Sequence, residues 1–323
     1  MKTMLKIGLL AVSALLLLAM GGILYVSFAL PNVGPPPTDL KVEVTPEKIE
    51  RGKYLAYHVL QCIDCHSQRD FGVFSGPPNE GTEAHGGERF DQTMGFPGVF
   101  ISPNITPTGI GDWTDGELFR LITTGVRKNG EPIFPIMPFE SYGKLDPSDI
   151  EAVIAYIRTL EPATTNHPAS VADFPFNLIM RTIPKKAEPE KRPSTQDQIA
   201  YGKYLVTASA CYDCHTKFAN GAYVGEPLAG GREFLLPWGT LTSANITPHE
   251  TGIGSWTKEA FVGKFKAHQN REELPSVIGS DFQTIMPWYM YAGMTEEDLG
   301  AIYSYLKTIT PVENRITVFV ASN

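Results

Sequence analysis

Cys62-Ile63-Asp64-Cys65-His66 and Cys211-Tyr212-Asp213-Cys214-His215 decide how this chain reads. Both are Cys-x-x-Cys-His, and together they use all four cysteines of the 323 residues. Cysteines three apart project from one side of a helical turn, so both thiols can add to the vinyl groups of a single haem. The histidine at the end of the motif can then set its imidazole on the iron. A redox dithiol does not require the trailing histidine, and a Cys2His zinc site needs a further ligand at matched spacing. With no cysteine left over, a disulfide scaffold is not indicated. The expected cofactor is therefore two covalently attached haem c groups, held by Cys62, Cys65 and His66 and by Cys211, Cys214 and His215.

Iron in such a site usually takes a sixth ligand, and a methionine thioether raises the potential and favours reversible electron transfer. Met137 and Met286 are the candidates. Each sits in Ile-Met-Pro and each lies 71 residues beyond its histidine. Met94, Met180, Met290 and Met294 lack that matched placement and read as packing residues.

The equal spacing belongs to an internal repeat with a register of about 149 residues. Gly52-Lys53-Tyr54-Leu55 returns as Gly202-Lys203-Tyr204-Leu205, and Asn104-Ile105-Thr106-Pro107 as Asn245-Ile246-Thr247-Pro248. Gly86-Gly87 with Arg89 and Phe90 returns as Gly230-Gly231 with Arg232 and Phe234. Gly109-Ile110-Gly111-Asp112-Trp113-Thr114 returns as Gly252-Ile253-Gly254-Ser255-Trp256-Thr257. The matched Arg89/Arg232, Asn104/Asn245 and Trp113/Trp256 are candidate partners for haem propionates. The competing reading makes the tryptophans core and the arginines solvated. His58, about one helical turn before Cys62, is a candidate haem-edge contact.

Helices are expected over Pro46–Leu60 and Thr195–Ala208, running into the motifs, and over Thr114–Thr124, Thr257–Ala267, Asp146–Leu160 and Thr295–Ile309. Long Gly/Pro-rich loops separate each motif from its methionine, and such loops inside a compact domain need a function such as wrapping a haem. The expected division is an anchor over 1–30, a stalk over 31–46, haem domains over 47–162 and 197–313, a linker over 163–196 and a tail over 314–323. Within the linker, Asp173–Met180 is apolar and is expected to pack on or between the haem domains. Lys185–Pro193 is expected to be solvated.

Lys2 and Lys6 precede 24 uncharged residues from Ile7 to Leu30. At about 1.5 Å per residue these reach roughly 36 Å, enough to cross a hydrocarbon core of about 30 Å. A cleaved export signal, with Ser27 and Ala29 as a small-x-small site, competes with a retained anchor, and the length of the run favours the anchor. The lysines would stay in the cytoplasm, with the haem domains in the periplasm of a bacterial inner membrane. Leu30–Thr45 is rich in proline and reads as an extended stalk that holds the globular part off the bilayer. The net charge of −8 argues against nucleic acid as a partner. Haem propionates would make the haem regions more acidic still.

The set of Cys-x-x-Cys-His, Asn-Ile-Thr-Pro, Gly-Ile-Gly-x-Trp-Thr, Met-Pro and a closing Tyr-Ile/Leu-x-Thr-Leu/Ile helix resembles the multihaem cytochrome c subunit of bacterial membrane-bound alcohol and sugar-acid dehydrogenases. The likeness covers both haem regions and the Phe-Pro-Phe-Asn stretch after the first. It implies a mostly α fold of two tandem class I-like cytochrome c domains with long haem-wrapping loops, plus one N-terminal transmembrane helix. Such subunits take electrons from a catalytic dehydrogenase and pass them towards quinone or an oxidase. They commonly carry three haem domains, where this chain has two motifs, and a cleaved signal with a C-terminal membrane attachment.

The resulting expectation is an electron-transfer protein with no catalytic residue. It would relay electrons between a dehydrogenase or quinol-oxidising complex and a respiratory acceptor such as a haem–copper oxidase. The alternative is a dihaem cytochrome c peroxidase, which needs one iron able to open a position for peroxide. Matching Met-Pro loops in both halves argue against it.

Overall fold

The computed structural model describes residues 2–279 and 281–322. Met1 and Asn323, the outer bounds of the expected anchor and tail, lie outside the described residues. The chain is about 40% helical. Its helices are α1 (Lys2–Ala29), α2 (Pro46–Tyr54), α3 (Cys62–Cys65), α4 (Pro107–Ile110), α5 (Asp115–Thr124), α6 (Phe139–Tyr142) and α7 (Pro147–Ile157). After these come α8 (Phe176–Ile179), α9 (Gln198–Ala208), α10 (Cys211–His215), α11 (Lys258–Lys266), α12 (Trp288–Ala292) and α13 (Glu296–Leu306). A π-helical turn, Leu55–Val59, joins α2 to α3.

The caps are those the sequence supplies. Thr114 and Glu117 form a reciprocal capping box at the start of α5. Thr257 caps α11, Asp146 caps α7 and Thr295 caps α13.

In each half the first long helix crosses the last, α2 on α7 and α9 on α13. The repeated glycines explain how closely they approach. A Cβ on Gly52 would lie 1.9 Å from the Ala152 carbonyl oxygen, and one on Gly202 would lie 1.9 Å from that of Ala301. Neither carbonyl can yield without breaking its helix. Gly202→Ala is therefore expected to destabilise the protein by about 2–3 kcal/mol or more, measured by thermal unfolding in detergent. An unchanged midpoint would show that the helices can part freely.

Small sheets, not expected from the sequence, flank each half. The first joins β1 (Arg89–Phe90), β2 (Gly98–Ile101) and β3 (Val171–Ala172), all antiparallel. The Phe96 amide donates to Asp91 O and closes the loop between β1 and β2. Next in the chain is a two-stranded hairpin, β4 (Phe218–Ala219) with β5 (Ala222–Tyr223). The last sheet joins β6 (Glu233–Leu236), β7 (Gly239–Thr242) and β8 (Phe319–Ala321). Strands β3 and β8 lie in the expected linker and tail, so both segments return to pair with the half that precedes them.

One apolar core runs through both halves, from Leu55, Ile63 and Ile154 to Leu205, Leu299 and Leu306. The halves meet through matched crossings: α6 packs on α9, and α12 packs on the π-helical turn. The Tyr54 hydroxyl donates to Asp298 at 2.6 Å, and the Tyr204 hydroxyl donates to Asp149 at 2.7 Å. Those two pairs are the same contact related by the repeat.

Helix α1 is long and apolar enough to cross a membrane, and none of its residues is buried. The stretch after it departs from a free stalk. Asp115 accepts from the Val42 amide at 2.9 Å, and Gly116 sits so close to Pro37 that a Cβ would lie 1.9 Å from its oxygen. The prolines hold the segment extended, but the segment lies along α5.

The linker is also docked. Phe176 packs on Phe134, and α8 lies beside α1, where Leu178 and Ile179 line an open cleft with Ala19, Gly22 and Val26. Arg181 donates to the carbonyls of Val26 and Leu30, at the end of α1 where helical partners run out. The charged piece is largely exposed, as expected, but its backbone is tied to the first half. The Glu188 and Glu190 amides donate to the carbonyls of Gly143 and Lys144, and Arg192 pairs with Asp149 at 2.6 Å.

Candidate haem sites

The residue before each first cysteine is left-handed: Gln61 at φ 60° and Ala210 at φ 49°. Such backbone is strained for residues other than glycine and here turns the chain sharply into the motif helix. The motif then makes a single turn, α3 or α10, that sets both cysteines on one side.

Each motif histidine is oriented by a backbone carbonyl. His66 Nδ1–H donates to Pro103 O at 2.7 Å, and His215 Nδ1–H donates to Ala244 O at 2.8 Å. This assignment fixes the tautomer and leaves Nε2 as the free lone pair, with no hydrogen bond to it among the described residues. Burial lowers the pKa of both imidazoles, which favours the neutral form that a metal requires.

The double glycines make this possible. Gly86 and Gly230 have φ of 75° and 76°, and a Cβ on either would lie 2.5 Å from the segment that carries the accepting carbonyl. Their amides donate to His66 O and His215 O, both at 2.7 Å. The glycine pair thus clamps the motif to the segment opposite.

No disulfide joins the four cysteines, and desolvation pushes the Cys62, Cys65 and Cys211 thiols up to about 12. No three His, Cys, Asp or Glu side chains converge as a metal site among the described residues. Gln61, Asp64 and Ser209 carry buried polar atoms with no partner among the described residues, and all three flank or lie within the motifs. The donor set, the free Nε2 and these orphaned groups fit haem c.

Met137 and Met286 lie at the ends of turns packed against the core. A tyrosine beyond each methionine ties its turn to a motif. The Tyr142 hydroxyl donates to Leu60 O, and the Tyr291 hydroxyl donates to Ser209 O at 2.8 Å. Each accepting carbonyl lies two residues before a first cysteine. Burial pushes both phenols well above their usual range, and the cysteines of the adjoining motif push further. Tyr142 also feels Asp213 of the second motif, and Tyr291 feels Asp64 and Cys65 of the first.

The remaining sequence candidates separate. Asn104 accepts from the Thr106 amide and donates to Ala163 O, while Asn245 accepts from the Thr247 amide and donates to Val312 O. Both side chains tie the Asn-Ile-Thr-Pro turn to the chain beyond the last helix. Trp113 and Trp256 are half-buried against the core, with Lys128 over the Trp113 ring and Phe261 beside Trp256.

The match of Arg89 with Arg232 does not hold in three dimensions. The Glu88 amide donates to Ser102 Oγ, and the Arg232 amide donates to Ser243 Oγ, both at 3.0 Å, so Arg232 stands where Glu88 stands. A one-residue slip moves a strand residue to the other face. Arg89 is consequently exposed and pairs with Asp91, whereas Arg232 lies over Phe218 and Phe234. In the first half Arg69, which the repeat did not reveal, is the buried cation beside the motif aspartate, 3.4 Å from Asp64. His58 Nδ1–H donates to Met290 O at 2.8 Å across the two halves.

Residues 199–310 match the family profile described as Cytochrome c. The chain is 26% identical to the cytochrome c subunit of a quinone alcohol dehydrogenase from Gluconobacter oxydans, over 82% of this chain and 55% of that one. It is 28% identical to the fructose dehydrogenase cytochrome subunit of Gluconobacter japonicus, over 81% of this chain and 52% of that one. A diheme cytochrome c-type protein of Cereibacter sphaeroides is also 28% identical, over 78% of this chain and 83% of its own length. The chain thus spans about half the length of the dehydrogenase subunits it matches. Residues 199–310 carry a cytochrome c domain, and the chain is a relative of the cytochrome c subunits of quinone alcohol, fructose and gluconate dehydrogenases and of a diheme cytochrome c.

Proposed function

We propose that this chain is a membrane-anchored dihaem cytochrome c that relays electrons from a dehydrogenase to a respiratory acceptor. The observation that carries the reading is the repeated histidine–carbonyl pair, His66 with Pro103 and His215 with Ala244. It equips both halves to hold iron, and not only the half that matches the family profile. Cys62 and Cys65, with Cys211 and Cys214, would form the thioethers. His66 with Met137 and His215 with Met286 would be the axial pairs. Haem c, when bound, supplies a one-electron Fe(III)/Fe(II) couple.

The chain's part would be to offer His66 with Met137 and His215 with Met286 from pinned segments, so that little reorganises as the charge changes. Tyr142 and Tyr291 pin each methionine turn to the segment that leads into its motif. Arg232 and Arg69 supply positive charge beside the motif aspartates and are the candidate propionate-side cations. Asn104 and Asn245 hold the turns that present the histidine-orienting carbonyls. Helix α1, seated on α8, would fix the pair of haem domains at the periplasmic face of the inner membrane. A catalytic dehydrogenase subunit is the partner that the relatives' names suggest, with a quinone pool or haem–copper oxidase downstream.

Purification of the full chain in mild detergent from its native membrane tests this reading. A dehydrogenase is expected to co-elute, and its alcohol or sugar substrate is expected to reduce the haems. Haems untouched by such substrates but active in peroxide turnover would favour the peroxidase alternative.

A further inference from the structure

The two methionine turns are built alike but are not held alike. In each, the carbonyl of the methionine accepts from the amide two residues on: Met137 from Phe139 and Met286 from Trp288, both at 2.8 Å. Only the Met286 turn has its methionine carbonyl hydrogen-bonded from the other half of the chain among the described residues. Ser75, from the loop that comes after the first motif, donates its hydroxyl to Met286 O at 2.7 Å. The Ser75 hydroxyl oxygen in turn accepts from the Trp288 amide at 2.8 Å. Ser75 is 1% exposed.

Gln283, fully buried, locks the loop in place. Its Oε1 accepts from the Ser75 and Thr284 amides, both at 2.8 Å, and its Nε2 donates to Phe71 O and Val73 O, both at 2.9 Å. A short antiparallel pairing runs alongside, with the Phe74 amide donating to Pro275 O and the Val277 amide to Gly72 O, each at 2.8 Å. Every polar atom of the Gln283 side chain is thereby used, so the contact specifies one register and not a loose apposition. In the first half, the Met137 carbonyl receives no such bond among the described residues.

We infer that Ser75 is a positioning residue for the axial methionine of the second haem, so that the first haem domain sets how firmly the second holds its sixth ligand. The inference rests on the reading of Met286 as that ligand. A methionine–iron bond is weak enough for an exogenous base to displace it, and the ease of displacement depends on the stiffness of the turn that carries the sulfur. Because the clamp acts on Met286 alone, the two irons differ: the second resists displacement through a contact that the first lacks.

The test is imidazole binding to the ferric full chain in detergent, read by loss of the methionine-to-iron charge-transfer band. It is made in a Met137→His background, so that only the second haem contributes. Removing one buried hydrogen bond is expected to raise imidazole affinity about fivefold to tenfold in Ser75→Ala. Gln283→Glu, which withdraws donors from Phe71 O and Val73 O, is expected to shift it in the same direction. With wild-type Met137, imidazole binding at the first haem is expected to be unchanged by Ser75→Ala. Equal affinity in wild type and both variants, or an equal rise at both haems, overturns the clamp. If the band of the second haem survives Met286→His, the ligand reading itself has failed, and the two failures are thereby told apart.

Discussion

Replacing Met286 by histidine is expected to lower the reduction potential of the second haem by on the order of 0.1–0.2 V, part of the roughly 0.8 V range that axial ligands span. A thioether favours Fe(II) and an imidazole favours Fe(III), so the direction is fixed by the ligand exchange. Met137→His is expected to do the same to the first haem and to leave the second nearly where it was. Both variants should keep two thioether-bound haems per chain, because the cysteines and proximal histidines are untouched. The geometry that supports this is the tyrosine at the end of each methionine turn. Tyr142 and Tyr291 reach the carbonyls of Leu60 and Ser209, so each turn is fastened to the motif it would serve. Equilibrium redox titration reads the result. A potential unchanged in either variant, with its haem still attached, would assign the sixth ligand elsewhere.

Asp149→Asn is expected to cost about 2–4 kcal/mol of stability, because it removes a buried carboxylate shared by the half-buried Arg51, the more exposed Arg192 and the Tyr204 phenol. Asp149 is 1% exposed and collects four bonds: Arg51 Nε at 3.0 Å, Arg51 Nη2 at 2.9 Å, Arg192 Nη1 at 2.6 Å and the Tyr204 hydroxyl at 2.7 Å. Those partners come from the first half, the linker and the second half, so one carboxylate joins three parts of the chain. At about 2–4 °C per kcal/mol for a chain of about this size, the unfolding midpoint should fall by roughly 4–16 °C. Tyr204→Phe removes one of the four bonds and should cost about 1–2 kcal/mol. A loss below about 1 kcal/mol in Asp149→Asn would mean that the halves are held by apolar packing alone.

The parts of the fold that were legible in the sequence are those fixed by neighbours in the chain. Thr114, Asp146, Thr257 and Thr295 each announce a helix because a cap acts within its own first turn. Gly52 and Gly202 recur because each half crosses two helices too closely for a side chain, and the repeat made that visible without saying what crossed. The contacts between halves were not legible. Tyr54–Asp298 and Tyr204–Asp149 span 244 and 55 residues, and nothing local marks either partner. The alignment of the repeats also failed where a strand shifts by a single residue. It paired Arg89 with Arg232 by type, while the ladder pairs Glu88 with Arg232 by face. Arg69 and Ser75 were missed for the opposite reason: they lie in a loop that has no counterpart of equal length in the second half. The proline-rich stretch read as a stalk and the charged linker as solvated; the linker is exposed, yet both are tied down through backbone amides, which composition does not encode.

The central claim is two six-coordinate haems on one chain. Potentiometric titration of the full chain in detergent, with covalent haem counted per polypeptide, tests it most directly. Two haems per chain, both low-spin in either oxidation state and titrating as two one-electron steps, is the predicted result. One haem per chain, or a high-spin iron that turns over peroxide, would contradict it.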